Sequence, residues 1–371
     1  MHSIALITTT INVPEVLRAY ARDAKDHRRS VKMYVAGDRS TPAGTARFCD
    51  VVARETGIEC EYLDPAAQER FLTPWAELRD HLPWNCIQRR NVAVLKAVRD
   101  GADAVVTIDD DNVLWESDYF SHSIPVCEAP REKLTMPAYG RPGEWFNVCR
   151  FLATANGYPF VPRGYGMAAR ANLDDGPGIE PGSLLTMPVA AVAGFWLGDP
   201  DVDAVTRLAH PVEVTRYRLD HNFFLAPGAR APFNSQNTIL ARAVLPAWFL
   251  SPHVGRYDDI FASFIVKRIA DHLGWGVCFG RPLVRQERNE HDLLRDLDLE
   301  RFGMRHVDSM TEDIANVTLT EKDFASCALE ICDQLGRRPR HRGETSIGTG
   351  CDRLDAFFSG YRIWAELPVW H

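Results

Sequence analysis

Residues 102–112 read "ADAVVTIDDDN", an apolar, β-branched run that stops on three carboxylates, Asp109, Asp110 and Asp111. A short apolar run bounded by turn-forming residues is the pattern of a buried strand. A turn at its end needs one Asp at most. Three in succession repel one another, so the run ends either on a solvated acidic turn or on carboxylates gathered for a cation.

The flanking sequence supplies the sheet to which such a strand belongs. "SIALITTT" (3–10), "VKMYVAGD" (31–38) and "IECEYLD" (58–64) are further strand-like runs. "VPEVLRAYARDAKDH" (13–27) between the first two has Val16, Leu17 and Tyr20 at helical spacing, with Pro14 suited to a first turn. "TARFCDVVARETG" (45–57) and "WNCIQRRNVAVLKAVRDG" (84–101) each stop on a Gly. Strand and helix in alternation predict an α/β fold with a parallel sheet and helices on both faces.

Beyond Asp111 the alternation fails. Residues from about 120 to 235 are rich in Pro, Gly and aromatics, which predicts a mixed sheet with long functional loops. Order returns with a helix in "GRYDDIFASFIVKRIADHLGWG" (255–276) and a strand in "VCFGRPLVRQ" (277–286). Helices are expected again in 320–336 and 351–367, with "RRPRHRGETSIGTG" (337–350) as a basic loop between them. The expected organisation is one domain over 1–305, divided at about 115 into two halves. A helical extension occupies 306–371.

Composition narrows the function. The chain has 371 residues, 46% of them hydrophobic and 25% charged, the balance of a packed globular protein. A net charge of −8 argues against non-specific nucleic-acid binding. No apolar run reaches the length of a membrane span. The first residues, "MHSIALITTT", read as a core strand and not a signal peptide. Nine cysteines without a C-x-x-C pair read as reduced core residues, so the expected compartment is the cytoplasm.

Ligands of open α/β sheets lie at the carboxyl ends of parallel strands. Asp109, Asp110 and Asp111 occupy such an end, and Mg²⁺ or Mn²⁺ is commonly shared between carboxylates and substrate phosphates. A strand ending in D-x-D therefore points to a nucleotide-diphosphate-sugar site. Asp258 and Asp259 open a helix, where capping alone would favour them; a base or a sugar-hydroxyl acceptor is the functional alternative. Arg89 and Arg90 precede the acidic strand and are candidates for a phosphate, against the plainer reading of a solvated helix face. Arg163 lies on a Pro/Gly-framed loop, usually an exposed setting. The histidines have no metal-ligand spacing.

"TIDDDN", "GYPFVPRGYG", "AVAGFWLGDPDVDAVTRL", "VTRYRLD", "PFNSQNTILAR" and "GRYDDIFASFIVKRIADHLGWGV", in this order, resemble the plant reversibly glycosylated polypeptides, which include UDP-arabinopyranose mutases. The likeness covers roughly residues 1–300 and is strongest over 157–280. It implies a GT-A-like (Rossmann-type) fold and a divalent metal at Asp109, Asp110 and Asp111. It further implies a UDP-sugar whose pyranose and furanose forms are interconverted. Arg163 matches the family's glycosylated arginine, and the resemblance gives it, with Asp258 and Asp259, the catalytic role. Arg89, Arg90, Asp109 and Asn237 would hold the nucleotide sugar.

The sequence leaves the family pattern at three points. Asn112 stands where the family has Cys, Arg285-Gln286 where it has Trp-His, and "FNSQNT" where it has Met-Cys-Gly-Met-Asn, keeping only Asn237. Gln286 replaces the late His that completes the metal shell in many GT-A enzymes, and His291 is the nearby substitute. These departures admit a glycosyltransferase with a small-molecule, peptide or glycan acceptor as an alternative. A non-catalytic UDP-sugar-binding subunit is a third reading. Association into a homo-oligomer is also expected of the family.

Overall fold

The computed structural model describes residues 2–172, 181–336 and 350–370. Its strands are Ile4–Thr10 (β1), Val31–Gly37 (β2), Glu59–Leu63 (β3), Ala104–Thr107 (β4), Asn112–Leu114 (β5), Leu134–Tyr139 (β6) and Leu152–Thr154 (β7). Leu184–Met187 (β8), Val189–Gly198 (β9), Val214–Tyr217 (β10), Phe223–Leu225 (β11), Thr238–Ala241 (β12) and Gly276–Gln286 (β13) complete them. One mixed sheet runs in the order β3-β2-β1-β4-β12-β9-β13-β11-β6-β8. The quarter made of β3, β2, β1 and β4 is wholly parallel, as the early alternation of strand and helix predicts. Helices cover both faces.

The helices form for local reasons. Leu17–Asp26 buries Leu17, Tyr20, Ala21 and Ala24, one stripe of an amphipathic helix. Gly44–Thr56 buries Phe48, Cys49 and Val52, and Gly57 closes it at φ 78°. The segment read as one helix over 84–101 divides into a 3-10 turn, Ile87–Arg89, and a helix, Arg90–Arg99. Two short helices, Pro65–Leu72 and Ala76–His81, have no counterpart in the sequence reading.

Sheet register positions the site. β12 is antiparallel to β4, with Thr238 opposite Thr107, so residues 234–237 lie beside the end of β4. β9 and β13 run parallel to each other and place Gly198 opposite Gln286. The carboxyl ends of β1, β4, β9 and β13 therefore share one edge with the amino end of β12.

The boundary expected at 305 falls inside a helix, Leu293–Ala315. This helix docks closely because Gly303 lies against Tyr257, where an added Cβ would sit 1.9 Å from the ring. Helices Phe324–Gly336 and Gly350–Ala365 pack into the same core as the sheet, through Ile331, Phe357, Tyr361 and Trp364 among others. The C-terminal helices thus share the core of the sheet. The basic loop 337–350 lies, but for Gly350, outside the described residues. Among the described residues no helix is long and apolar enough to cross a membrane, and the eight cysteines described are free thiols.

Trp364 is fully buried, and its indole N–H donates to the Leu245 carbonyl at 2.8 Å. Replacing Trp364 by Ala is expected to lower the unfolding free energy by about 3–5 kcal/mol, the range for a large buried aromatic. Urea denaturation of the full chain measures it. A loss under about 1 kcal/mol would show that the last helix is peripheral to the core.

Candidate functional site

The carboxylates at the end of β4 are held apart by different partners. Asp109 accepts from Arg90 Nη2 at 2.6 Å and from Gln236 Nε2 at 2.7 Å. Asp110 accepts from the Thr10 hydroxyl at 2.6 Å and from Asn289 Nδ2 at 3.3 Å. Asp111 accepts from Gln286 Nε2 at 2.7 Å and from the Asn289 backbone N–H at 3.1 Å. The turn itself is closed by Asn112, whose side-chain oxygen accepts from the Asp109 N–H at 2.8 Å. The Asn112 amide also donates to the Gln286 side-chain oxygen.

One buried cation, on Arg90, faces this turn through Asp109, and Asp110 and Asp111 are left with neutral donors. Burial, and after it the charge of Asp109, pushes Asp111 up to about 6. Burial also raises Asp110, against the opposing effect of the Thr10 hydrogen bond. A desolvated carboxylate pair with unspent lone pairs gains from a hard cation, and oxygen donors of this kind suit Mg²⁺ or Mn²⁺. The donor set therefore fits such a metal at Asp110 and Asp111. It does not form one shell of three: among the described residues no three His, Cys, Asp or Glu side chains converge on a metal position. Asp109 is drawn off by Arg90.

A second charged cluster lies under Arg163. This side chain is buried, and Nε and Nη2 form a fork on Asp201 at 2.9 and 3.0 Å. Nη1 and Nη2 meet the two oxygens of Asp259 at 3.1 and 3.2 Å, and Nη1 also donates to the Arg256 carbonyl. All five N–H groups are thereby used. Burial opposes the charge, but Asp201 and Asp259 outweigh it and hold the guanidinium well above its ordinary pKa. Burial would raise Asp201, yet Arg163 brings it down to about 2.

Asp259 also accepts from the Ser235 N–H at 2.9 Å and the Ser235 hydroxyl at 3.0 Å. Asp258, its neighbour, is equally buried and accepts from Gln88 Nε2 at 2.7 Å. Burial, then the Asp259 charge, lifts Asp258 to about 7. Gly164 permits this crowding: it sits at φ 86°, and a Cβ there would lie 2.3 Å from Ile260.

A profile of the reversibly glycosylated polypeptide family matches residues 104–345. The chain belongs to that family. Among its relatives, a probable UDP-arabinopyranose mutase 1 of Pisum sativum is 30% identical over 240 residues, covering 62% of this chain and 60% of that protein. UDP-arabinopyranose mutase 1 of Arabidopsis thaliana is 35% identical over 183 residues, covering 47% of this chain and 50% of that protein. The chain spans about half the length of the curated relatives it matches. A mannosyltransferase from Pyrobaculum calidifontis, solved with GDP-mannose and Mn²⁺, aligns over 98% of this chain and 88% of its own, at 12% identity and a TM-score of 0.32. That superposition is too loose to bear on the site.

With the family established, the places of the expected site residues can be compared. Asp109, Asp110, Asp111 and Arg90 come together at the edge of the sheet, and Arg90 is a counter-ion to Asp109 instead of an open phosphate ligand. Arg89 turns elsewhere: it is buried, bonds Gln68 and the Leu82 carbonyl, and stacks 3.8 Å from the centre of the Trp84 ring. Asn237 spends its amide on the Phe195 carbonyl and the Tyr119 hydroxyl, so it braces the sheet. Gln286 binds Asp111 and Asn112, while His291 pairs with Asp296 at 3.0 Å. Asp201, Gln236, Asn289 and Glu300 belong to the same neighbourhood and were not singled out in the sequence. They lie in loops or on a helix face, where neither periodicity nor a motif marks them.

The raised Asp258 has a measurable consequence. An Asp that holds its proton to about 7 in the fold, against 3.8 in the open chain, is bound more tightly when folded. Its contribution to stability is full below about pH 4 and is lost as the pH rises through 7. Asp258→Asn is expected to remove that decline, so the stability difference between variant and wild type should move in the variant's favour across this window. Urea unfolding at a series of pH values measures it, and parallel curves for the two proteins would contradict the assignment.

Proposed function

We propose that the chain binds a UDP-sugar with Mg²⁺ or Mn²⁺ and interconverts its pyranose and furanose forms. The observation that carries this reading is the turn after β4. It sets two half-buried carboxylates, raised by burial and by the charge of Asp109, at the carboxyl end of a parallel strand. Membership of a family whose relatives are named UDP-arabinopyranose mutases supports it.

The reaction requires the bond between the anomeric carbon and the diphosphate oxygen to break, the electron pair leaving with the diphosphate. The ring opens and closes again through a different hydroxyl, and the diphosphate oxygen re-forms the bond. A proton must leave the attacking hydroxyl and reach the former ring oxygen. Asp110 and Asp111 would hold the metal, which when bound neutralises the leaving diphosphate. Asp258, raised to about 7, suits the proton transfer, since its two states are both accessible near neutrality. Arg163 fixes the carboxylate beside it. With every N–H engaged, Arg163 acts by position and not as a nucleophile.

The enclosure of Arg163 also favours a second reading, in which the sugar passes to an external small-molecule or glycan acceptor. An arginine sealed between two carboxylates is a poor internal acceptor.

Incubation with Mn²⁺ and UDP-arabinopyranose, without acceptor, followed by anion-exchange chromatography, tests the proposal. A new nucleotide sugar of unchanged mass is expected; slow release of UDP alone would support the transferase instead. Asp111→Asn is expected to weaken Mn²⁺-dependent UDP binding by about 10-fold or more. Equal calorimetric affinities for variant and wild type, with and without chelator, would remove the metal from Asp111.

A further inference from the structure

Beyond the carboxylate turn, three arginines from separate segments meet beside the loop that follows β9. Arg207 lies on the short helix Ala204–Ala209, Arg256 on the turn before the helix Asp258–Leu273, and Arg288 two residues beyond β13. Sheet register brings them together. Gly198 and Gln286 are partners at the end of β9 and β13, and the Asp199 N–H donates to the Gln286 carbonyl at 3.3 Å.

We propose that Arg207, Arg256 and Arg288 form the seat for the diphosphate of the bound nucleotide, opposite the carboxylate turn. The identity of this anion rests on the nucleotide-sugar reading above; the seat itself rests on the arginines.

The first support is unspent hydrogen bonding. The Arg207 and Arg288 side chains are only 11% and 10% exposed. On each of them the Nε–H is buried without a partner. A buried guanidinium donor left unpaired is costly, and a phosphate oxygen is the acceptor whose geometry suits it.

The second support is a shared counter-ion. Arg207 pairs with Asp199 and donates to the Pro200 carbonyl. Arg256 pairs with Glu300 at 3.1 Å and Asp296 at 3.4 Å. Arg288 reaches the same Asp296 at 3.4 Å, and His291 takes it at 3.0 Å. One carboxylate is thus divided among two guanidiniums and an imidazole. Burial, then the charges of Arg207 and Arg256, bring the pKa of Arg288 below its usual value, against the opposing charges of Asp199 and Asp201. An anion beside Arg288 relieves the repulsion from the other two arginines.

The third support is place. Asn289, next to Arg288, donates its N–H to Asp111 and its amide to Asp110. The basic seat and the carboxylate turn are therefore joined through one residue. A diphosphate between them would meet a metal on one side and guanidinium forks on the other.

Calorimetry on the full chain tests the seat with inorganic pyrophosphate in the presence of chelator, and with UDP in the presence of Mn²⁺. Arg207→Gln and Arg288→Gln are each expected to weaken both ligands by about 10-fold or more, the loss of a charged hydrogen bond. Uridine, which carries no phosphate, should bind all forms alike. Arginine-dependent pyrophosphate binding without any UDP-sugar binding would keep the seat and overturn the nucleotide-sugar reading. UDP and pyrophosphate affinities unchanged in both variants would overturn the seat and spare that reading. Should the Gln variants fail to fold, the unaltered chain still decides. Millimolar pyrophosphate should raise its Tm above that in chloride of equal ionic strength, and an absent shift would overturn the proposal.

Discussion

Asn112 closes the turn after β4, and the site follows from that closure. Its side-chain oxygen takes the Asp109 N–H while its amide reaches Gln286 on β13. The chain must then deliver Asp109, Asp110 and Asp111 in three directions within one turn. Each has donors of its own, Arg90 and Gln236, Thr10, and Gln286 in turn, and Asn289 reaches both Asp110 and Asp111. Mutual repulsion of the carboxylates is offset by these partners without being cancelled, and with burial it leaves Asp110 and Asp111 raised.

Arg163 imposes a second constraint, because a buried guanidinium is tolerable only with its charge and donors satisfied. Asp201 and Asp259 satisfy it, and the price is that loops 159–166 and 199–203 are tied to the head of the helix Asp258–Leu273. Removing one partner of such a cluster typically costs about 3–5 kcal/mol, since the remaining charge stays buried. The tie places two adjacent carboxylates at the head of one helix. Asp259 is bound to Arg163 and Ser235, whereas Asp258 has Gln88 and no cation of its own among its hydrogen bonds. That difference in environment leaves Asp258 the raised carboxyl of the two.

Much of the fold was legible in the sequence because its first half is built from buried strands. Continuous apolar runs at 3–10, 31–38 and 102–108 mark them, and Gly57 and Gly101 end the helices between. The acidic turn was legible for the same reason, since charge at the end of such a run stands out. Residue type could not tell which way a side chain turns: Arg89 and Arg90 are neighbours, yet one stacks on Trp84 and the other reaches Asp109. Nor could it reveal pairings across the sheet. Asn112 and Gln286 are two separate departures from the family pattern, 174 positions apart, and they are bonded to each other. Asp201, Arg207 and Arg288 gain meaning only from the register that sets β9 beside β13.

The central claim is that Asp110 and Asp111 form the metal side of a nucleotide-diphosphate site. Anomalous diffraction at the manganese edge, from crystals of the full chain grown with UDP and Mn²⁺, addresses it most directly. The account predicts one anomalous peak against these two carboxylates, bridged to the diphosphate. Nucleotide bound at another edge of the sheet, or a manganese peak away from both carboxylates, would contradict it.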